Sequence, residues 1–248
     1  MLADIVLTVA QSKRLIAKGV AAHPAVQRAR RKGWLIISTG TTDGYVVEEV
    51  LGQPIDRYAY VTGHVVPAGF DSKSRLAPKN LPDVILHDGE IVSDVNRFEA
   101  ARQMGPGDVI IKGANALNYD KKVAGVCIGD PNGGTVGGTL GPIIGRRATL
   151  VIPVGLEKLV AHDILETARF LGQGEEAANR VYPLFPITGE IVTEIEALAL
   201  LTGVQARHVG SGGIFGAEGA VRLLLQGTPE QIKAALELVE QIQKEPPF

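Results

Sequence analysis

Residues 34–52, WLIISTGTTDGYVVEEVLG, run from an apolar stretch through Thr39-Gly40-Thr41-Thr42 into an amphipathic segment closed by Gly52. Trp34-Leu35-Ile36-Ile37 is short and apolar throughout, the pattern of a strand buried on both faces of a parallel sheet. A helix is expected from Asp43 to Leu51. Three hydroxyls and a glycine between the two place free backbone N–H groups at a helix N-terminus, where donors and dipole favour a phosphate or carboxylate. Two readings stay open: an anion cradle, or a plain turn in which Thr42 or Asp43 caps the helix. Neither a Walker loop nor a G-x-G-x-x-G pattern is present here.

Outward from this stretch the chain alternates strands with helices or tight glycine loops, which argues for an α/β layer. Upstream, residues 10–33 carry Leu15, Ile16, Val20 and Ala21 at helical spacing, and Pro24 opens a second helix ending at Gly33. Downstream, RYAYVTG (57–63) is expected to be a strand, and 63–83 a long excursion of the functional or mobile kind. DVILHDGEIVSD (83–94) carries Asp88-Gly89 between apolar runs, a hairpin signal. A helix is expected from Asp94 to Met104, and strands in DVIIKG (108–113), KVAGVCIG (122–129) and ATLVIPVG (148–155).

Beyond about residue 175 the pattern changes. GEIVTEIEALALLTG (189–203) reads as an amphipathic helix, 204–227 as two strands around a glycine-rich turn, and 228–244 as a helix capped by Thr228 with Pro229 at its first position. With VYPLFPI (181–187) as its first strand, this makes a small C-terminal α+β lobe of ferredoxin-like type. The expected fold class is therefore α/β: a mostly parallel Rossmann-like sheet with helices on both faces, in an anion-binding domain of residues 1–175, plus that lobe in 176–248.

Composition excludes several classes. The chain has 248 residues, 45% hydrophobic and 21% charged, with a formal net charge of -2, so no basic surface argues for nucleic acid. Cys127 is the single cysteine and cannot form an internal disulfide, which points to a reducing, cytoplasmic setting; it is expected to be a buried small hydrophobe. No window approaches the ~20 apolar residues of a membrane span, and MLADIVLTVA lacks a basic leader segment, so no membrane partner is expected. The five histidines, at 23, 64, 87, 162 and 208, show no metal-ligand spacing, and no metal or cofactor is expected. His64, at a strand's end, could reach a ligand or serve as surface.

Candidate site residues sit where strands end, the edge at which open α/β sheets bind ligands. Besides Thr39, Gly40, Thr41 and Thr42, these are Lys112, Gly113 and Asn115 in IKGANALN; Gly133, Gly134 and Thr135 in GDPNGGTVGGTLGP; and Glu157 and Lys158 in PVGLEKL. Asp130 and Glu157 are the carboxylates that can be placed at such a crevice as acid or base. Gly-Gly pairs serve equally as mobile turns. Ser211-Gly212-Gly213 in the lobe is a hairpin tip or a second small-ligand site.

STGTTDGYVVEEV followed by DVIIKGANAL resembles the layout of the superfamily containing ribose-5-phosphate isomerases, glucosamine-6-phosphate deaminases and CoA-transferases. The resemblance implies a Gly/Ser/Thr loop holding a sugar phosphate, a downstream segment lining the reaction site, a first helix bearing Lys13, and a small ferredoxin-like lobe. Asn115 stands where those isomerases carry an acid, and an amide is no general base.

The expected function is binding of an anionic small molecule, phosphorylated or carboxylated, at the Thr39–Thr42 loop, with isomerase-, deaminase- or hydrolase-like chemistry on a sugar phosphate. In that reading Lys112 and Lys158 supply positive charge and Asn115 orients the substrate. The alternatives are a ligand sensor without catalysis, or a self-assembling module acting through the C-terminal lobe. A homo-oligomer is expected in each case.

Overall fold

Strands Trp34–Ile37 (β2), Val109–Ile111 (β5) and Thr149–Pro153 (β8) are almost wholly withdrawn from water, as their unbroken apolar runs require. The computed structural model describes residues 1–63, 65–67, 69–70, 80–174 and 176–247, and in it these strands form the centre of a six-stranded sheet. Its order is β10-β8-β5-β2-β3-β4, with Glu190–Val192 as β10, Val84–His87 as β3 and Glu90–Ile91 as β4. The first four run parallel, so their C-terminal ends share one edge, with Ile37, Ile111 and Val151 in register. The hairpin β3–β4 is antiparallel and turns on Asp88 (φ 50°) and Gly89 (φ 91°), both left-handed as a tight two-residue turn demands. The protein is a mixed α/β structure.

Helices cover the sheet. Val9–Ala22 (α1) packs on Thr41–Leu51 (α3) and on Glu194–Thr202 (α7); Pro24–Arg31 (α2) lies on β2 and β3; Arg97–Gln103 (α4) touches β2 and packs on Gly134–Arg146 (α5). Thr8 opens α1 with a capping box to Gln11, satisfying two donors that would otherwise lack partners. The approach of α1 to α7 is close. A Cβ on Gly19 would lie 2.6 Å from that of Ala197, so glycine is what lets these helices touch. Ile164–Leu171 (α6) and Pro229–Ile242 (α8) complete the eight helices among the described residues.

Two further sheets have three strands each. Ala116–Asn118 (β6), Val123–Cys127 (β7) and Leu184–Ile187 (β9) form one; Leu2–Leu7 (β1), Val221–Gln226 (β12) and Gln205–Ser211 (β11) form the other, with β12 central. The strand expected at 181–187 therefore pairs with β7 and not with the helix–strand–strand–helix segment that follows it. Residues 2–7 take that place, pairing antiparallel with 221–226 and burying Ile5 and Leu7. Strands thus interleave across residues 172–176, because β10 also crosses into the main sheet.

Three other local expectations change. Residues 57–63 form turns and not a strand, because Tyr60 is used as an anchor: its hydroxyl donates to Ile37 O at 2.6 Å and accepts Val84 N–H at 3.0 Å. The helix expected from 189 begins at Glu194, after a strand residue run and the capping Thr193. Cys127 is exposed at the end of β7, not buried. His64, and most of the loop at 63–83, lie outside the described residues.

Candidate functional site

The shared C-terminal edge of β2, β5, β8 and β10 gathers six charged side chains: Lys13 from α1, Asp43 from α3, Lys112 after β5, Glu157 and Lys158 from the 3-10 turn Leu156–Lys158 after β8, and Glu194 at the first position of α7. Parallel strands make this convergence, since each successive connection leaves the same edge.

Asp43 sits at its centre and is fully buried. Its Oδ2 accepts the Gly113 amide at 3.1 Å, while Oδ1 has no partner among the described residues. Burial pushes this carboxyl above the usual range, opposed by the neighbouring Lys112 ammonium and by the Gly113 N–H. Lys112 is displaced the opposite way: burial lowers it, and Asp43 resists the shift. Burial thus works against charge on both groups, while each favours the charged form of the other. Lys112 Nζ donates to Gly113 O at 3.2 Å and Lys158 Nζ to Ala114 O at 2.8 Å, so the segment after β5 is held by two ammonium groups.

The loop that opens α3 is half occupied by the protein's own groups. Thr39 N–H donates to Asp83 Oδ1 at 2.9 Å, and Gly40 N–H to Tyr60 O at 2.9 Å. Among the described residues, however, no side chain caps α3, and the hydroxyls of buried Thr42, in its first turn, and of buried Ser38 find no hydrogen-bond partner. Gly40 has extended backbone (φ 172°), so its need is spatial: a Cβ there would come 2.4 Å from Asp43 Oδ2.

Lys158 also acts on a second set of charged groups. Lys13 is 8% exposed and pushed down to about 8, by burial first and then by Lys158, with Glu157 acting against both. Glu194 is wholly buried, accepts Leu156 N–H at 3.0 Å and is pushed up to about 7 by burial and by Glu157. Arg57 also bears on Lys13, from a network in which Arg14 and Arg57 flank the Tyr45 ring (4.8 and 4.1 Å) and both bind Glu48 and Glu245.

An open cleft of about 580 Å³ adjoins the loop, lined by Thr39, Thr62, Asp83, Arg97 and the start of α4 among others. Asp83 spans both places, pairing with Arg97 while bearing electrostatically on Asp43 and Lys112. Thr39 and Thr62, both lining the cleft, share a 2.7 Å hydroxyl contact.

Of the residues singled out from sequence, Lys13, Thr39 to Thr42, Lys112, Gly113, Glu157 and Lys158 come together here. Asn115 is exposed, and its Oδ1 accepts Cys127 N–H at 2.9 Å, a bracing role. Asp130 is exposed and turned back on its own loop, where it accepts Asn132 N–H at 2.7 Å. Gly133, Gly134 and Thr135 open α5 after β7, a strand of a different sheet; Gly133 and Gly134 adopt left-handed backbone (φ 83° and 55°). Asp43 and Glu194 were missed. Asp43 reads from sequence as a cap, and only the arrival of Gly113 seventy positions later reveals its partner; Glu194 follows a three-residue strand hidden inside a helix-like run.

Among the described residues no group of His, Cys, Asp and Glu is placed to hold a metal ion, and no helix is long and apolar enough to cross a membrane. Comparison with known proteins finds no matching family model, no matching curated protein and no matching solved structure.

Proposed function

We propose that the chain binds an anionic small molecule, phosphorylated or carboxylated, at the C-terminal edge of β2, β5 and β8, and moves a proton on it. The observation that carries this reading is Asp43: a wholly buried carboxylate, one oxygen bonded to Gly113 and the other without a hydrogen-bond partner among the described residues, beside Lys112 and at the start of α3. Nothing in folding alone rewards an unpartnered buried carboxylate oxygen, which costs free energy unless another group meets it. Lys13, Lys112 and Lys158 supply the positive charge, the α3 amides supply donors, and Asp43 replaces Asp130 as the proton-transfer group, with Glu157 acting on Lys13.

Sugar-phosphate isomerisation or deamination fits this apparatus, since both need a carboxyl to shuttle a carbon-bound proton while cations hold the anionic end. The reading treats β10-β8-β5-β2 as a Rossmann-like sheet, and β1 with α7, β11, β12 and α8 as a ferredoxin-like lobe. A thermal-shift screen of sugar phosphates, nucleotides, acyl-CoAs and dicarboxylates tests it. A ligand at a hundredfold excess over its dissociation constant stabilises by about 2.7 kcal/mol. A hit that Lys112→Met abolishes supports the site. Absence of stabilisation by any anion, or a hit indifferent to Lys112 and Lys158, overturns it.

A further inference from the structure

Next to Lys13 in α1, and two residues beyond Asp43 in α3, the same helices build another charged cluster, around Tyr45. The Arg14 and Arg57 guanidinium groups lie 4.8 and 4.1 Å from the centre of its ring. Between them comes a carboxylate from the far end of the chain. Glu245 Oε2 accepts Arg14 Nε–H at 2.8 Å, and its Oε1 accepts Arg14 Nη2–H at 3.3 Å and Arg57 Nη1–H at 2.6 Å. Two guanidinium groups thus grip both oxygens of one carboxylate, bidentate from Arg14, the pattern by which arginine recognises a planar anion. Clamp and occupant are held very differently. Without Glu245, Arg14 still donates to Glu48 at 2.5 Å and to Glu49 at 2.9 Å, and Arg57 to Glu48 at 3.5 Å. The Arg57 stem also packs on Gly44, where an added Cβ would lie 3.4 Å from Arg57 Cγ. Glu245, by contrast, sits three residues past the end of α8. From 243 to 247 no side chain belongs to the core. Among the described residues, the segment's other hydrogen bonds are Gln11 Nε2 to Gln243 O at 3.1 Å and two amides bonded back to the last turn of α8.

We propose that Arg14 and Arg57, backed by the Tyr45 ring, form a carboxylate-binding site that the protein fills with its own Glu245, and that a free carboxylate-bearing small molecule fills when the C-terminal tail lifts away. Lifting the tail uncovers no core side chain and breaks ion pairs of the partly exposed kind, which contribute little each. The clamp left behind keeps its shape and is short of one negative charge: Arg14, Arg57 and Lys18 then face Glu48 and Glu49 alone. A preorganised pair of guanidinium groups lacking its counter-charge favours any planar anion that restores the three bonds. Glu245 is thereby an internal competitor, and the affinity of a free carboxylate is reduced by the fraction of molecules whose tail is docked. This site stands whether or not an anion binds beside Lys112.

Melting curves of the full chain in sodium acetate, against sodium chloride at equal ionic strength, test the site. Glu245→Ala opens a carboxylate-sized gap between the two guanidinium groups, so acetate should stabilise this variant in a saturable way. Its apparent dissociation constant for acetate should be at least about tenfold below that of the wild type, whose tail competes. Adding Lys112→Met to Glu245→Ala should preserve the gain, and adding Arg57→Met should abolish it. If the Arg57→Met protein does not fold, Arg57→Lys, which keeps the charge and loses the fork, should weaken acetate instead. In the wild type, hydrogen exchange at the Glu245 amide, which donates to Ile242 O at 3.0 Å, should quicken as acetate rises. No stabilisation of Glu245→Ala by acetate, or equal affinity in the two proteins, overturns the site. A response lost with Lys112→Met overturns it too and assigns the acetate to the lysines. Exchange at Glu245 indifferent to acetate overturns the competition.

Discussion

Asp43 and Gly113, seventy positions apart, meet through a single hydrogen bond of 3.1 Å from the Gly113 amide to Oδ2, across the mouth of two parallel strands. That bond fixes the carboxylate's direction. It follows that Asp43→Asn should fold, with a melting temperature within a few degrees of the wild type, because removing a buried charge offsets the altered hydrogen bonding. Any turnover found in the ligand screen should fall by at least a hundredfold, the contribution typical of a positioned acid or base. Melting curves and product assays on the two proteins check this.

Gly40→Ala should be harmful for a steric reason. The new methyl would meet Asp43 Oδ2 at 2.4 Å, so the carboxylate must swing away from Gly113. A loss of about 1–3 kcal/mol is expected in urea unfolding, the usual cost of an overpacked buried position. Gly141→Ala, where no described atom lies within 4 Å of the added methyl, is the control and should cause no loss of stability.

Stability should pass through a minimum between about pH 7 and 8. Glu194 is pushed up from 4.5 to about 7, so the folded state holds more protons than the unfolded one between those values, and stability falls as pH rises through that window. Lys13 is pushed down from 10.5 to about 8, so the unfolded state holds more protons there, and stability rises from pH 8 toward 10.5. Denaturant titrations at intervals from pH 5 to 10 should show both limbs. Glu194→Gln should flatten the acid limb alone, and Lys13→Met the alkaline one.

Much of this architecture is legible in the chain, and the illegible parts share a cause. The all-apolar 34–37 run, the Asp88-Gly89 turn and the Thr228 cap each report local chemistry, and each forms as its residues imply. Glu190–Val192 is too short to impose a period of two against the helix beside it, and Leu2–Leu7 becomes a strand only because 221–226 lies next to it. Ala59–Val61 reads as a strand by composition, yet Tyr60 is spent on bridging Ile37 and Val84. The site divides in the same way: the hydroxyl loop and the lysines mark strand ends and can be read, whereas the burial of Asp43 and Glu194 depends on partners far away in sequence.

Glu245→Ala should loosen the hold of the chain's last residues on α1 and α3. Glu245 accepts from Arg14 at 2.8 Å and from Arg57 at 2.6 Å, and all three side chains are less than a fifth exposed. Its removal leaves two guanidinium groups stacked on Tyr45 with fewer partners, for an expected cost of about 1–3 kcal/mol. Glu245→Gln should cost less. Urea unfolding at low and at high salt would show the difference narrowing as salt rises.

Strand β1 has its one strand partner, among the described residues, in 221–226. Translation proceeds at about 5–20 residues per second, so this segment waits on the order of 10–40 s after synthesis for the strand that completes it. Throughout that interval Ile5 and Leu7 lack the strand beside which they become buried. The pairing of β1 is therefore expected to follow the synthesis of residues 221–226 and not its own.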